Sequence, residues 1–222
     1  MGRLCRPVGS QVVEVDRPAP GEELNPGEET VPRPAATVIL LRGAGEQLEV
    51  LLVRRNPESR FMGGAWVFPG GAVDRNEGTG DAGLRAAAVR ELAEEAGIAV
   101  GDPELLVPFS RWITPAQVKI RFDTSFFLAP APDGAEPEID GSEIVDARWS
   151  TPQAALEDAA AGELFLVFPT IKHLEQLSAF GSADELLEYA RGREVKPVQP
   201  RVILGGEMAR VVLPGEPGFD ET

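Results

Sequence analysis

Residues 68–98 read FPGGAVDRNEGTGDAGLRAAAVRELAEEAGI, and the second half of that stretch sets the terms for everything around it. From about Asp81 to Ala96 it is dominated by Ala, Leu, Arg and Glu, all strong helix formers. Asp81 stands where an N-cap belongs and Gly97 where a left-handed residue ends a helix. An advance of about 100° per residue puts Ala88, Val89, Leu92 and Ala96 on one apolar stripe. Glu91, Glu94 and Glu95 fall together on another face, because positions three and four apart are neighbours on a helix. Carboxylates this close repel and raise one another's pKa. A solvated salt-bridge face would interleave lysines, and this helix has none. Hard oxygen ligands clustered in this way suit Mg2+ or Mn2+, with substrate phosphates completing the coordination.

The first half of the stretch supplies the other side. An apolar WVF run, residues 66–68, reads as a strand that ends at Pro69–Gly71 in a tight turn. Glycine lets backbone approach a ligand closely and aims its carbonyls at a metal. A glycine turn facing a carboxylate helix is an arrangement for holding metals against a phosphate group.

These residues resemble the Nudix box, G-x5-E-x7-R-E-U-x-E-E-x-G-U with U aliphatic. Gly71 and Glu77 match its first part; Arg90, Glu91, Leu92, Glu94, Glu95, Gly97 and Ile98 match every fixed position of the second. Twelve residues separate Glu77 from Arg90 where the pattern has seven. The extra five are expected in the Gly-rich EGTGDAG segment, as a longer loop before the helix. Strict alignment on the helix would put Ala82 at the first Glu position, which leaves the role of Glu77 open. The resemblance implies an α/β (α+β) Nudix fold, a mixed β-sheet sandwiched between helices, with extra C-terminal helices here. It also implies two or more Mg2+ or Mn2+ ions on Glu91, Glu94 and Glu95, with backbone help from Gly70 or Gly71. Arg90 would orient one of these carboxylates.

The segment upstream of the glycines is similar to the signature of the coenzyme A diphosphatases among Nudix enzymes, LLT-x-R-[SA]-x3-R-x3-G-x3-FPGG. Here Leu51, Leu52, Arg55, Arg60, Gly64 and Phe68 to Gly71 fit at every spacing, with Val53 for Thr and Asn56 for Ser or Ala. FMxGxxVFPGG, the insertion inside the box and WITPxxxxxRFDTxFF further on resemble the peroxisomal members. Arg55 and Arg60 could form bidentate contacts to a diphosphate or a 3′-phosphate; the alternative is a pair of surface arginines flanking a strand. Trp112 or Phe122 could stack on an adenine, or belong to the core, as Phe126 and Phe127 do on this reading. The Nudix resemblance further implies a metal ligand or general base from a Glu in the loop ahead of a Trp, and Glu143, ahead of Trp149, is the candidate. Glu94 is the other candidate base, and the two are not separated here. Glu138 and Asp140 read as solvated loop charges. His173, the single histidine, reads as a packing residue.

Composition narrows the classes. The chain has 222 residues, 43% hydrophobic and 26% charged, a globular balance. The formal net charge of -15 argues against a duplex nucleic acid partner, which needs a basic surface. No apolar run approaches the ~20 residues that span a bilayer, and the N-terminus lacks the apolar core of a secretory signal. Cys5 is the single cysteine, so no internal disulfide forms. A cytoplasmic protein is expected.

Residues 1–33, rich in Pro, Gly and Glu, read as a mobile or loosely docked extension, with a short strand at Gln11–Val15 or none. Residues 34–181 read as the Nudix hydrolase domain and 182–222 as a C-terminal helix and tail. AATVILLR, the turn GAGEQ and LEVLLVRR read as a hairpin. EIVDARW gives the last strand, and Thr151–Pro152 and Ser182–Glu185 open helices. The tail could form a small hairpin that docks on the domain or closes a homodimer. The expected activity is metal-dependent cleavage of a diphosphate linkage in coenzyme A or acyl-CoA. Another nucleoside diphosphate derivative (ADP-ribose, a dinucleotide) and a ligand-binding module without catalysis are the alternatives.

Overall fold

Alternation along the first long apolar run decides the layering. In a strand successive side chains point to opposite faces, so Ala36, Val38 and Leu40 go one way and Ile39 and Leu41 the other. A run apolar on both faces must be covered on both. The computed structural model, which describes residues 14–15, 23–43, 47–205 and 208–220, covers it with helices on each side.

Strands β1 (Glu14–Val15), β2 (Arg33–Arg42), β3 (Glu49–Arg55), β4 (Trp66–Val67) and β5 (Gly70–Ala72) precede helix α1 (Gly80–Ala96). Strands β6 (Val107–Ile113), β7 (Phe122–Pro130) and β8 (Ile144–Ser150) follow, then helices α2 (Pro152–Ala160), α3 (Phe168–Leu177) and α4 (Ala183–Arg191). The chain ends with β9 (Pro197–Val198), β10 (Arg201–Gly205) and β11 (Met208–Val212). The main sheet runs β4-β3-β2-β7-β6-β9, with β5 also on β2 and β8 also on β3. It is mixed: β2 runs parallel to β7 and β6 to β9, and the other pairs are antiparallel. On one face Val38, Leu51, Val53 and Phe127 meet Ala87, Ala88, Leu92 and Ala96 of α1. On the other Ile39, Leu52, Phe126 and Leu128 meet Ala155, Leu174, Leu177, Leu186 and Leu187 of α2, α3 and α4. Phe126 and Phe127 are both core, one on each face. Each fully buried side chain of this size contributes about 1.5–3 kcal/mol.

Several local readings shift. β2 and β3 pair only at Leu41–Val50 and Arg42–Glu49, and then part. β5 takes the place beside β2, and β8 becomes the long partner of β3. Gly70 and Gly71 are therefore strand residues and not a turn. α1 starts at Gly80 with Thr79 as N-cap; Asp81 instead accepts from Arg85 Nε at 2.5 Å. Ten of the twelve residues between Glu77 and Arg90 (80–89) are helical, so the box insertion is mostly helix and less a loop. β8 is the last strand within residues 34–181, and β9 from the tail adds to the sheet beside β6. Gly97 at φ 66° ends α1, Thr151 caps α2 and Ser182 caps α4, all as the sequence indicates. β10 and β11 form the tail hairpin, and β1 pairs with β11. Cys5, residues 11–13 of the N-terminal strand reading and the turn at 44–46 lie outside the described residues.

Candidate active site

Docking of α1 through its alanine-rich stripe turns Arg90, Glu91 and Glu95 toward β5, with Glu94 exposed beside Arg90. Gly70 N–H donates to Glu95 Oε2 at 2.9 Å. Gly71 pairs with Ala36, and a Cβ at Gly71 would stand 2.2 Å from Glu91 Oε1. The glycine is there because a carboxylate fills the space a side chain would need. Glu95 is 4% exposed. Burial pushes its carboxyl up to about 8, against the Gly70 hydrogen bond and the Arg55 charge; Glu91 and Glu143 push it further. Burial also raises Glu91, with Glu94 and Glu143 adding to the rise and Arg90 opposing it. Concentrated negative charge in a poorly hydrated corner is what a bound cation would relieve.

Two arginines provide part of that relief. Arg90 Nε meets Glu77 Oε1 at 2.8 Å, and Nη1 donates to Glu91 Oε1 at 2.8 Å and Glu94 Oε2 at 2.9 Å. Its Nη2 donates to Ala72 O at 3.1 Å. Glu77 thus reaches Arg90 despite the insertion. Burial works against its charge, but the Arg90 hydrogen bond, the Asp74 N–H and the Arg90 charge together hold its carboxyl below the usual range. Arg55, from the end of β3, has Nη1 3.5 Å from Glu95 Oε1 and Nη2 3.1 Å from Glu143 Oε1.

Comparison with known proteins shows the family. The sequence profile of the NUDIX domain matches residues 31–169. The chain belongs to the Nudix family. A Caenorhabditis elegans protein named nudix hydrolase 7 is 29% identical over 222 residues, covering 83% of this chain and 73% of that one. The human acyl-coenzyme A diphosphatase NUDT19 is 23% identical, over 77% of this chain and 72% of its own. The crystal structure of a NUDIX hydrolase from Alicyclobacillus acidocaldarius superposes with a TM-score of 0.65 at 30% identity, covering 72% of this chain and 96% of that one. The protein is a Nudix diphosphohydrolase, and its mixed sheet between helices is the fold of that family.

In this Nudix hydrolase the sequence-derived candidates fall into two groups. Arg55, Gly71, Arg90, Glu91, Glu94, Glu95 and Glu143 converge at the meeting of β3, β5, α1 and the loop before β8. Arg60 is exposed and makes no ion pair among the described residues. The other two lie on the sheet face opposite α1. Phe122 packs edge-on against Phe61 with centroids 5.4 Å apart, and Trp112 packs on Phe168 at 6.1 Å and beside His173. His173 is 1% exposed in an aromatic enclosure of Phe68, Phe109, Trp112 and Phe126, a packing residue as read. Asn56 and Asp140 add to the site. Asn56 N–H donates to Glu143 O at 2.8 Å and its Nδ2 to Ser142 O at 2.7 Å. Asp140 accepts from Ser142 Oγ, Glu143 N and Ile144 N. Together they fix the turn that carries Glu143. The mismatch of Asn56 to the upstream signature was the one sequence signal for it.

Among the described residues no three His, Cys, Asp or Glu side chains stand in a ready-made ligand cluster. Arginine pairing explains this, since Arg90 and Arg55 hold oxygens of Glu91, Glu94, Glu95 and Glu143. The donor set still fits the divalent metal that Nudix enzymes generally use. It consists of hard carboxylate oxygens, two of them with raised affinity for positive charge, beside a strand whose glycines leave room.

Proposed function

We propose that this enzyme hydrolyses the diphosphate of coenzyme A or an acyl-CoA. The observation that carries the reading is Arg55. The residue that the coenzyme A diphosphatase spacing singles out, four positions after Leu51, lies within 3.5 Å of the most buried carboxylate of the Nudix helix. The likeness to an acyl-coenzyme A diphosphatase supports it.

Glu91, Glu94 and Glu95, with the Gly71 carbonyl, would hold Mg2+ or Mn2+. Bound there, the cation supplies a water of lowered pKa and positive charge against the phosphates. The chain's own groups do the rest. Glu143 lies close enough to Glu91 and Glu95 to raise the pKa of both, and its side chain is 62% exposed, open to water. On this reading it takes the proton from the attacking water, with Glu94 the second candidate. The water oxygen adds to one phosphorus as the bridging P–O bond breaks, and two phosphate monoesters leave. From coenzyme A these are adenosine 3′,5′-bisphosphate and phosphopantetheine. Arg60, exposed and without an ion pair among the described residues, is the second arginine of the signature and on this reading would take a substrate phosphate. Arg90 keeps Glu91 and Glu94 oriented. Trp112 and Phe122, across the sheet, are the candidates to border the nucleoside; the compartment we propose is cytoplasmic.

The test is a panel of coenzyme A, acyl-CoA, dephospho-CoA, ADP-ribose and dinucleotides with Mg2+ or Mn2+, resolved by product analysis. Coenzyme A should be cleaved and Glu94→Gln should lose turnover while remaining folded. Arg60→Ala should reduce kcat/KM for coenzyme A by about ten- to a hundredfold, the worth of one charge-assisted contact. Preference for ADP-ribose or a dinucleotide over coenzyme A would reject the substrate assignment and leave the hydrolase class in place.

A further inference from the structure

Both carboxylate oxygens of Glu95 are contested. Oε2 accepts the Gly70 N–H at 2.9 Å, and Oε1 faces Arg55 Nη1 at 3.5 Å. The other arm of the same guanidinium donates to Glu143 Oε1 at 3.1 Å. The Arg55 side chain is 17% exposed, so the contact to Glu95 is shielded from water and salt. The two arginines of the site differ in how firmly they are held. Arg90 is tied to Glu77, Glu91, Glu94 and the Ala72 carbonyl, and moving it would strand Glu77, whose side chain is 9% exposed. Among the described residues, the Arg55 side chain has one hydrogen bond besides its contacts to the two carboxylates, Nε to Phe61 O at 3.3 Å. Arg55 is the cation of this site that can be displaced.

We propose that Arg55 is a built-in counter-ion that competes with the divalent cation for Glu95 and Glu143, and passes to a substrate phosphate when the cation takes its place. The inference rests on the reading of Glu91, Glu94 and Glu95 as the metal site. A divalent cation on these carboxylates would repel both guanidiniums; Arg90 is held in place by Glu77 and Ala72 O, so Arg55, 3.5 Å from Glu95 Oε1, is the one that moves. Occupation by the divalent ion therefore releases the Arg55 fork, which is suited to two phosphate oxygens. Loading is ordered, cation first and diphosphate second, and the two are coupled through one side chain. In the absence of a cation the same arginine keeps a nearly buried carboxylate paired.

The sign of one measurement separates this from a positioning role. A residue that merely orients Glu95 and Glu143 loosens the metal site when it is removed; a competitor tightens it. The full-length protein is titrated with Mn2+ without substrate, and free Mn2+ is followed by electron paramagnetic resonance. Arg55→Gln should bind Mn2+ about tenfold more tightly than wild type, a change of about 1.4 kcal/mol, while its kcat/KM for coenzyme A falls. Arg55→Lys keeps the charge and loses the fork, and should lie between the two. Should the glutamine variant be too unstable to titrate, the Mn2+-induced rise in Tm of Arg55→Lys, larger than in wild type, gives the same answer. Wild type that binds Mn2+ with variants that bind equally or more weakly would overturn this inference alone. No Mn2+ uptake by any of them would overturn the metal-site reading, and this inference with it.

Discussion

Gly70 and Gly71 are adjacent, yet their lack of a side chain serves different ends. A Cβ at Gly70 would meet Ala36 O at 2.5 Å and Thr37 Cα at 2.7 Å, both backbone of the neighbouring strand. Gly70→Ala should therefore cost about 1–3 kcal/mol in urea unfolding, the range for overpacking. At Gly71 the obstacle is the end of the Glu91 side chain, which can move. Gly71→Ala should keep nearly all its stability and lose about a hundredfold in kcat, because a displacement near 1 Å at a reacting centre has that effect. Equal stability of the two variants would refute the distinction. His173 makes a second residue-scale prediction. Its Nδ1 lies 2.7 Å from Pro169 O, a pure acceptor, so Nδ1 carries the proton and Nε2 accepts from Ser110 Oγ at 2.6 Å. Burial lowers its pKa from 6.5 to about 4, with the Pro169 hydrogen bond opposing. The unfolded chain then binds more protons between pH 6.5 and 4. Stability is complete above that window and falls by about 3 kcal/mol as the pH drops through it. Urea titrations of wild type and His173→Gln at several pH values test this, and the variant should lack that share of the slope.

At the scale of elements, the segment leading into β2 is better anchored than its composition suggests. Asn25 N–H donates to Gln117 O, Lys119 N–H to Glu23 O and Thr30 Oγ1 to Lys119 O. Arg121, 3% exposed, reaches back with Nη1 to Glu29 Oε1 at 2.5 Å and to Thr30 O at 2.6 Å, and with Nε to Thr114 O. Proline- and glutamate-rich sequence predicts a loose arm because it lacks apolar area to bury. A buried arginine, invisible as such in sequence, holds Glu29 and Thr30, and hydrogen bonds to Gln117 and Lys119 hold the rest of residues 23–30. Deleting residues 1–22 removes β1 from the edge of the small sheet and should leave the main sheet and catalysis intact. Deleting residues 1–30 removes both Glu29 and Thr30 and leaves Arg121 with a buried charge, and Glu29→Ala alone should cost about 1.5–3 kcal/mol. Thermal unfolding of the three proteins checks it; a full-stability 1–30 deletion would contradict the anchoring. Helix boundaries were easier to read, since caps act locally: Thr151, Ser182 and Gly97 each do what their position implies.

Across the whole molecule, a net charge of -15 makes the folded state repel itself and draws cations to it. Specific binding should stand out above that background. At a hundredfold excess over its Kd, Mg2+ or Mn2+ should stabilise the protein by about 2.7 kcal/mol, or very roughly 5–10 °C in Tm for a chain of this size. NaCl of equal ionic strength should give less, and Glu94→Gln should erase the difference; calorimetry with the two salts decides. No helix of the described residues is long and apolar enough to cross a membrane, in keeping with the absence of such a run in the sequence. By itself the sequence determined the features that depend on near neighbours and on periodicity. These are the α1 helix, its carboxylate face and apolar stripe, the caps at Gly97, Thr151 and Ser182, the box pattern and hence the family. Tertiary structure alone decided what depends on contacts between distant residues. It paired β2 with β5 and β7 where adjacency suggested a long hairpin, brought Glu77 onto Arg90 across the insertion, and put Phe122 and Trp112 on the face away from α1. It also turned Arg55 toward Glu95 and Glu143. Strand pairing and the partner of a long charged side chain are chosen by closing the whole sheet and neutralising buried charge, and neither is written in any local stretch of chain.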